Sequence, residues 1–471
     1  MTVGRLLMPS LRWREGDGFL HEAEAIAAAL NLGVGGFVLF GGTVVDVRAL
    51  TASLREQAGR PLLIGSDLER GAGQQVRGLG ELPPPRALAA LGEQSVIRGA
   101  GLLTAMEALG VGINWVFAPD ADLDIEPLNP IVQTRSFGSE PEKVAESVAS
   151  WIAGCEVGGA LACAKHFPGH GRTRVDSHDT IPVVDASLEE LRANDLVPFA
   201  AAIEAGVSSI MTAHVAFPAL DPTGTPATRS EPILRLLRED MKFGGLIVSD
   251  ALTMAGALSG GPGAAAIAAV GAGVDVLLDP SDPAAMVAAL DAEAGRSASL
   301  RRRLDASIAR LEAAAAGAET DAGDFVASHD SAPALADWLL SRPLVRGAGP
   351  RFSAPLELVV LDDDLEGKYP PSTPSDIVER ELRRMEVPLA PDGSRIVLVL
   401  AEPRASKGRA GLGPRVKQAL QATIGSARLV VVFGHPRIVD EIPEGPPVLL
   451  AWHRQGLMQE AAARWIKERL S

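Results

Sequence analysis

The chain has 471 residues, 47% hydrophobic and 22% charged, an ordinary globular composition with enough apolar mass for more than one domain. Its formal net charge of −15 argues against a nucleic-acid partner and against an anionic membrane surface, and its only cysteines, Cys155 and Cys163, exclude a disulfide framework and any CxxC metal or redox pair. No uncharged apolar stretch reaches the roughly 18 residues of a membrane span, and MTVGRLLMPSLRWREGDG breaks its apolar run with charges before a signal-peptide core can form, so the sequence predicts a cytoplasmic protein.

In chain order, eight short apolar runs alternate with Ala-rich segments: RLLMP (5–9), GFVLF (36–40), PLLIGSD (61–67), INWVFAP (113–119), ALACAKHF (160–167), SSIMTAH (208–214), GLIVSD (245–250) and VDVLLDP (274–280). Continuous apolar runs are buried on both faces, the mark of parallel strands. Helices are predicted between them at 95–110, 141–157, 187–205, 230–242, 262–272 and 298–314. Ser187 and Glu190 are spaced as a capping box, and Gly206 suits the helix stop. Eight strands, each followed by a helix, predict an α/β fold of the (β/α)8 TIM-barrel type. The rival open doubly wound sheet would carry a GxGxxG turn after an early strand, and none follows the first three runs.

The barrel is predicted over 1–317 as the catalytic domain, and polar AETDAGDFVASHDSAP marks a linker over 318–333. Four further runs, at 356–362, 395–403, 428–436 and 447–453, with helices at 375–386, 412–423 and 457–469, predict a small C-terminal α/β domain over 334–471. That domain shows no cluster of ionisable residues comparable to the barrel's.

In such a barrel the chemistry sits where the strands end. Run three ends in Asp67, run four leads to Asp122 and Arg135, run five ends in Lys165 and His166, run six in His214 and run seven in Asp250. Singly, each could cap a helix or sit satisfied near the core. Converging charges, however, cost several kcal/mol in desolvation unless they pair or bind something.

After run five comes KHFPGHGRTRVDSHDTIP, a loop with three of the chain's eight histidines. His166, His170, Asp176 and His178 could ligate a metal, but four ligands on one Gly-rich loop match no regular metal spacing. PGHGRTR could cradle a phosphate, but it lacks the GxxxxGK[ST] pattern. Hydrolysis by a carboxylate and a proton donor remains. Asp250 at a buried strand tip can attack an electrophilic carbon, and Asp176 and His178, two apart in an extended segment, face the same way as a proton-transfer pair.

KHFPGHGRTRVDSHDTIP resembles the signature KHFPGHG-D-T-x-x-D-S-H-x-x-x-P of glycoside hydrolase family 3, in its β-N-acetylglucosaminidase branch. GVGGFVLFGG, PLLIGSDLERGAGQQVRGL, GINWVFAPDADLDIEPLNPIVQTRSFGSEPEKVA, IMTAHVAFPALDPTGTPATRS and GLIVSDALTM resemble further family segments, in order, and the C-terminal part more weakly resembles the family's second domain in shortened, sandwich-like form. The resemblance implies a retaining exo-β-N-acetylhexosaminidase that releases N-acetylglucosamine from the non-reducing end of peptidoglycan- or chitin-derived saccharides, without metal or cofactor. Asp250 would form the covalent glycosyl-enzyme, and His178, paired with Asp176, would act as acid and then base. Asp67, Arg77, Arg135, Lys165, His166 and His214 would hold the sugar. A β-glucosidase of the same family, an N-acetylglucosaminide phosphorylase and a silent sugar-binding protein are the alternatives. The chain departs from the family pattern at Arg172, where an acid is usual, and at Arg70. Arg172 and Arg174 read as solvated loop charges, and His170 as structural.

Overall fold

The computed structural model describes residues 2–175, 181–253, 260–318, 331–366, 371, 373–402 and 407–471. The chain forms two compact units: Met1–Gly80, Glu93–Ile125 and Phe137–Ala327 make the first, and Glu81–Gly92, Glu126–Ser136 and Ser328–Ser471 the second.

The first unit is a (β/α)8 barrel. Its strands are β1 in two pieces (Leu7–Met8 and Ser10–Arg12), β2 (Gly36–Phe40), β3 (Leu63–Ser66), β4 (Trp115–Val116), β5 (Leu161–Phe167), β6 (Ser209–Thr212), β7 (Leu246–Ser249) and β8 (Leu277–Leu278). All neighbours pair in parallel, from Ser10↔Val38 through Gly65↔Trp115 and Cys163↔Ser209 to Ser209↔Leu246. The ring closes where Val248 pairs with Val276 and Leu7 with Leu277. Pro9 interrupts β1 because it has no N–H for the ladder, while its carbonyl still accepts from Val38.

Met8, Val38, Leu63, Trp115, Cys163, Met211, Val248 and Leu278 supply one buried side chain from each strand to the barrel core. Trp115 satisfies its indole N–H on Ser209 Oγ at 2.8 Å. Burial pushes the Cys163 thiol up to about 12, which leaves it an inert core residue.

Helices Gln94–Gly110, Pro141–Val157, Pro262–Ala272 and Ala298–Gly317 follow the sequence expectation closely. The helix predicted over 187–205 opens with the expected capping box but is not one regular helix. Leu188–Glu190 passes into a π turn at Leu191–Asp195, and α geometry resumes at Val197–Glu204. The cause is Pro198, which cannot donate to the turn before it; Leu196 N–H instead reaches back to the Leu191 carbonyl at 2.9 Å. The same widening ends the helix predicted over 230–242, at Leu236–Asp240.

In the second unit, strands β9 (Leu356–Asp362), β10 (Ser394–Ala401), β11 (Leu429–Gly434) and β12 (Val448–Leu450) form a parallel sheet in that order. Helices Ile377–Arg384, Pro414–Thr423 and Gly456–Lys467 accompany it. The two segments drawn from the barrel sequence belong here: Gln455 Nε2 donates to the Leu82 carbonyl at 2.7 Å, and helix Pro85–Leu91 packs on the turn Gln133–Arg135.

The expectation that this unit lacks an ionisable cluster is overturned. Asp363 and Asp364 are fully buried just after β9, where Lys407 Nζ meets them at 2.7 and 2.9 Å. Arg454 NH1 bonds Asp362 at 3.0 Å and Asp364 at 2.5 Å. These residues lie up to 92 positions apart, so only the fold assembles them.

Candidate active site

The C-terminal rim of the barrel collects the polar strand ends. Lys165, on β5, is buried to 2% exposure, and its ammonium bonds Asp67 Oδ1 at 2.6 Å and Glu69 Oε1 at 2.8 Å. A buried cation needs such partners. Asp67 and Glu69 can share one because side chains two apart on an extended segment point the same way. Glu69 is closed off, whereas Asp67 keeps 31% of its side chain open, enough for a ligand hydroxyl to reach it.

His166 points its Nδ1 at Asp122 Oδ2, 2.8 Å away. The other oxygen, Oδ1, accepts the His170 N–H at 2.5 Å and the His166 N–H at 3.3 Å. Asp122 N–H in turn bonds Asp120 Oδ1 at 2.9 Å. Burial would push the Asp122 carboxyl up, but the hydrogen bond and charge of His166, with help from His170, hold it well below the usual carboxylate range. With Nδ1 donating to Asp122, His166 Nε2 bonds no other described residue and is the nitrogen available to a ligand.

Asp120, Asp122 and His166 also have ligand atoms within 4.8 Å of one another, which is metal-site spacing. This grouping differs from the four-residue loop set weighed from the sequence. His170 bonds Asp122 through its backbone N–H, while its ring Nδ1 meets Thr173 Oγ1 at 2.8 Å.

Asp250 follows β7 directly, and its Oδ1 accepts the Ala251 N–H at 2.7 Å. His214 secures the same segment. Its Nε2 donates to the Ala251 carbonyl at 3.1 Å, which leaves Nδ1 to accept from Thr228 Oγ1 at 2.9 Å. The ring therefore spends both nitrogens on the protein, a positioning task that the sequence did not suggest. Leu252 N–H bonds the Leu278 carbonyl of β8, and Thr253 Oγ1 donates to Asp279 Oδ2 at 2.8 Å. Asp279 adopts φ +44°, a strained backbone for an acidic residue, and also accepts from Ser10 Oγ at 2.5 Å.

Four of the expected site residues sit elsewhere or cannot be placed. Arg77 lies on the outer rim, 61% exposed, paired with Glu15 Oε2 at 2.6 Å and stacked 4.4 Å from the Trp13 ring. Arg135 ends a short turn in the second unit. Asp176 and His178 lie outside the described residues.

The loop leading toward them is firmly held. A Cβ on Gly171 would stand 1.9 Å from the Leu123 carbonyl, so only glycine fits there. Arg172 is not a solvated charge. Its Nε meets both oxygens of Asp195, at 3.1 and 2.9 Å, and Asp195 is 2% exposed in the π turn. Burial pushes the Asp195 carboxyl up, and Arg172 opposes that. Arg172→Ala should therefore cost roughly 3 kcal/mol by stranding the buried carboxylate, and Arg172→Met with Asp195→Leu should recover most of it. Denaturant midpoints of the native protein and the two variants decide this; a double variant that loses clearly more than Arg172→Ala would mean that the stranded Asp195 charge is not the cause.

His170 is held neutral: burial pushes its imidazole down to about 4, and the Asp122 carboxylate only partly offsets this. An unfolded His titrates near about 6.5. Between those values the unfolded chain binds more protons than the folded one, so stability is intact above the window and falls as pH drops through it. His170→Asn should flatten that acid limb, seen as a smaller difference in unfolding free energy between pH 7 and pH 4.5. An unchanged limb would place the proton uptake elsewhere.

Sequence reasoning passed over Glu69, Asp120 and Asp279 and gave Asp122 no role. The signal for the first two was present: Asp67-x-Glu69 and Asp120-x-Asp122 both show the period of two that puts carboxylates on one side of an extended segment.

Charged residues at the C-terminal strand ends of a (β/α)8 barrel, Asp67, Lys165, His166 and Asp250 among them, are the setting of a barrel enzyme, here of the glycoside hydrolase class. The chain belongs to glycosyl hydrolase family 3, whose N-terminal domain matches residues 2–314. It is 35% identical over 325 residues to a β-N-acetylglucosaminidase/β-glucosidase of Cellulomonas fimi, covering 65% of this chain and 56% of that protein. The chain thus spans just over half the length of that relative. It is 41% identical over 267 residues to a β-hexosaminidase of Tolumonas auensis, covering 55% of this chain and 79% of the relative. Among solved structures, a family 3 β-N-acetylglucosaminidase from Paenibacillus sp. str. FPU-7 is similar over 100% of this chain and 96% of its own, with a TM-score of 0.83 and 28% identity.

Proposed function

We propose that the chain is a retaining exo-β-N-acetylhexosaminidase that acts in the cytoplasm on peptidoglycan-derived saccharides. The observation that carries this reading is the setting of Asp250. It stands at the tip of β7 with one oxygen on its own loop's N–H, and His214 grips the carbonyl of the next residue.

In the proposed reaction the Asp250 carboxylate attacks the anomeric carbon and the glycosidic bond breaks. The leaving oxygen takes a proton from His178. His178 then removes a proton from water, which attacks the same carbon and frees Asp250. Asp176 orients His178 and tunes its basicity. Half-open Asp67 accepts sugar hydroxyls, and Lys165 and His166 supply donors and a lone pair beside it. A His in place of a second carboxylic acid suits proton transfer near neutral pH, since its unperturbed pKa is about 6.5.

The test is substrate choice and product. The kcat/KM for 4-nitrophenyl N-acetyl-β-glucosaminide should exceed that for the matching β-glucoside by about tenfold or more. Muropeptides should release free N-acetylglucosamine faster than chitooligosaccharides, with or without phosphate. A preference for the glucoside, or a sugar 1-phosphate as main product, would overturn this assignment.

A further inference from the structure

Between the connection that follows β1 and the helix Val44–Ala58 lies a cavity of about 710 Å³. Small-molecule sites run from roughly 300 to 1,000 Å³. Trp13, which helps line it, comes directly after β1, and its N–H bonds the carbonyl of Phe40, the last residue of β2. One end of the cavity therefore lies at the C-terminal rim, while Ser53, Leu54 and Gln57 carry it along the helix away from that rim, and it shares no residue with the Lys165, His166 and Asp250 groups.

Its walls are of two kinds. Trp13, Phe19, Leu50 and Leu54 are apolar, while Glu15, Asp17 and Asp46 are acidic, and no Lys or Arg lines it. Glu15 is paired with Arg77, and Asp17 with His21. Asp46 differs. Its Oδ2 accepts Trp13 Nε1 and Thr43 Oγ1, both at 2.8 Å and both neutral. No described donor reaches its Oδ1. The carboxylate is also fixed in place, because Thr43 caps the helix by accepting the Asp46 N–H at 3.2 Å. One wall already stacks against a cation, since the Arg77 guanidinium lies over the Trp13 ring.

We propose that this cavity is a binding site for an organic ammonium that carries a small apolar or aromatic body. The ammonium bonds Asp46 Oδ1, and the body rests against Trp13, Phe19 and Leu50. An anion would meet three carboxylates and no lining Lys or Arg. A neutral ligand of the same shape would leave Asp46 without its charged partner. The amine can be a free metabolite or part of the substrate's leaving group. The site stands on the cavity and not on the role of Asp250, so either reading can fail alone.

The experiment titrates the full chain with 2-phenylethylamine, and with 2-phenylethanol and 3-phenylpropanoate as neutral and anionic matches. The amine should bind about tenfold or more tightly than either. Asp46→Asn should remove that advantage, and Ala49→Phe, which fills the cavity from the helix, should abolish binding with thermal stability retained. Two aryl glycosides, one bearing an aminoethyl group and one an ethyl group, then separate the sources. If the amine belongs to the leaving group, Asp46→Asn lowers kcat/KM for the aminoethyl glycoside alone, and 2-phenylethylamine competes with it. If the amine is a free ligand, the two glycosides respond alike and there is no competition. Absence of amine binding, binding no tighter than that of the alcohol, or binding untouched by both variants overturns the proposal.

Discussion

Asp250→Asn should lower kcat on an aryl N-acetyl-β-glucosaminide by roughly 10⁴-fold or more, with little change in fold. An amide is isosteric with the carboxylate, can still accept the Ala251 N–H at Oδ1, and cannot form the glycosyl ester. The sugar contacts proposed for Asp67, Lys165 and His166 remain, so KM should move far less than kcat. With a slowly hydrolysed 2-fluoro glycoside, the native enzyme should gain the mass of one sugar and the variant none. A variant that keeps kcat within tenfold of the native enzyme would remove Asp250 from bond making.

Lys165→Met should be the most damaging change among the residues proposed to hold the sugar. Methionine keeps the lysine chain only as far as its ε carbon and leaves Asp67 and buried Glu69 facing each other with their shared cation gone. Breaking a buried pair in this way costs about 3–5 kcal/mol, and the loss should shrink as the pH falls and the stranded carboxyls protonate. Adding Glu69→Leu should restore much of the stability by removing one of the two charges. It should not restore kcat/KM, which falls by about 10²-fold if the ammonium also orients the sugar. Denaturant midpoints and kcat/KM on the three proteins separate the tasks, and recovery of both together would make Lys165 purely structural.

Much of the barrel was legible because a strand buried on both faces must be a continuous apolar run. GFVLF became β2 at its predicted residues, six of the other runs contain their strands, and RLLMP contains the first piece of β1. What periodicity could not show was a change of helical pitch. Leu188, Leu191, Leu196 and Phe199 keep near-helical spacing across the π turn, and only Pro198 hints that the hydrogen-bond ladder cannot run straight through. The site followed the same division. Strand-end residues such as Asp67, Lys165 and Asp250 stood out by chemistry and position. Their partners did not, because pairing is made by the fold: Asp195 lies 23 residues beyond Arg172, and Asp67 lies 98 before Lys165. Arg172 looked solvated for that reason alone. The buried charges at the end of β9 were missed likewise, since Asp364, Lys407 and Arg454 lie on three separate segments.

The way the chain is divided between its two units bears on how such a protein can be shortened or recombined. The backbone passes from one unit to the other five times, after residues 80, 92, 125, 136 and 327. The second unit therefore includes 81–92 and 126–136, and it recruits them through bonds such as Leu457 N–H to Glu81 Oε2 at 3.2 Å. A gene cut after residue 327 would keep these two strips and discard the sheet they belong to. During synthesis, too, both strips emerge hundreds of residues before that sheet exists. Exchange of the C-terminal portion between relatives should succeed only when 81–92 and 126–136 travel with it, which makes three separated stretches of sequence a single heritable module.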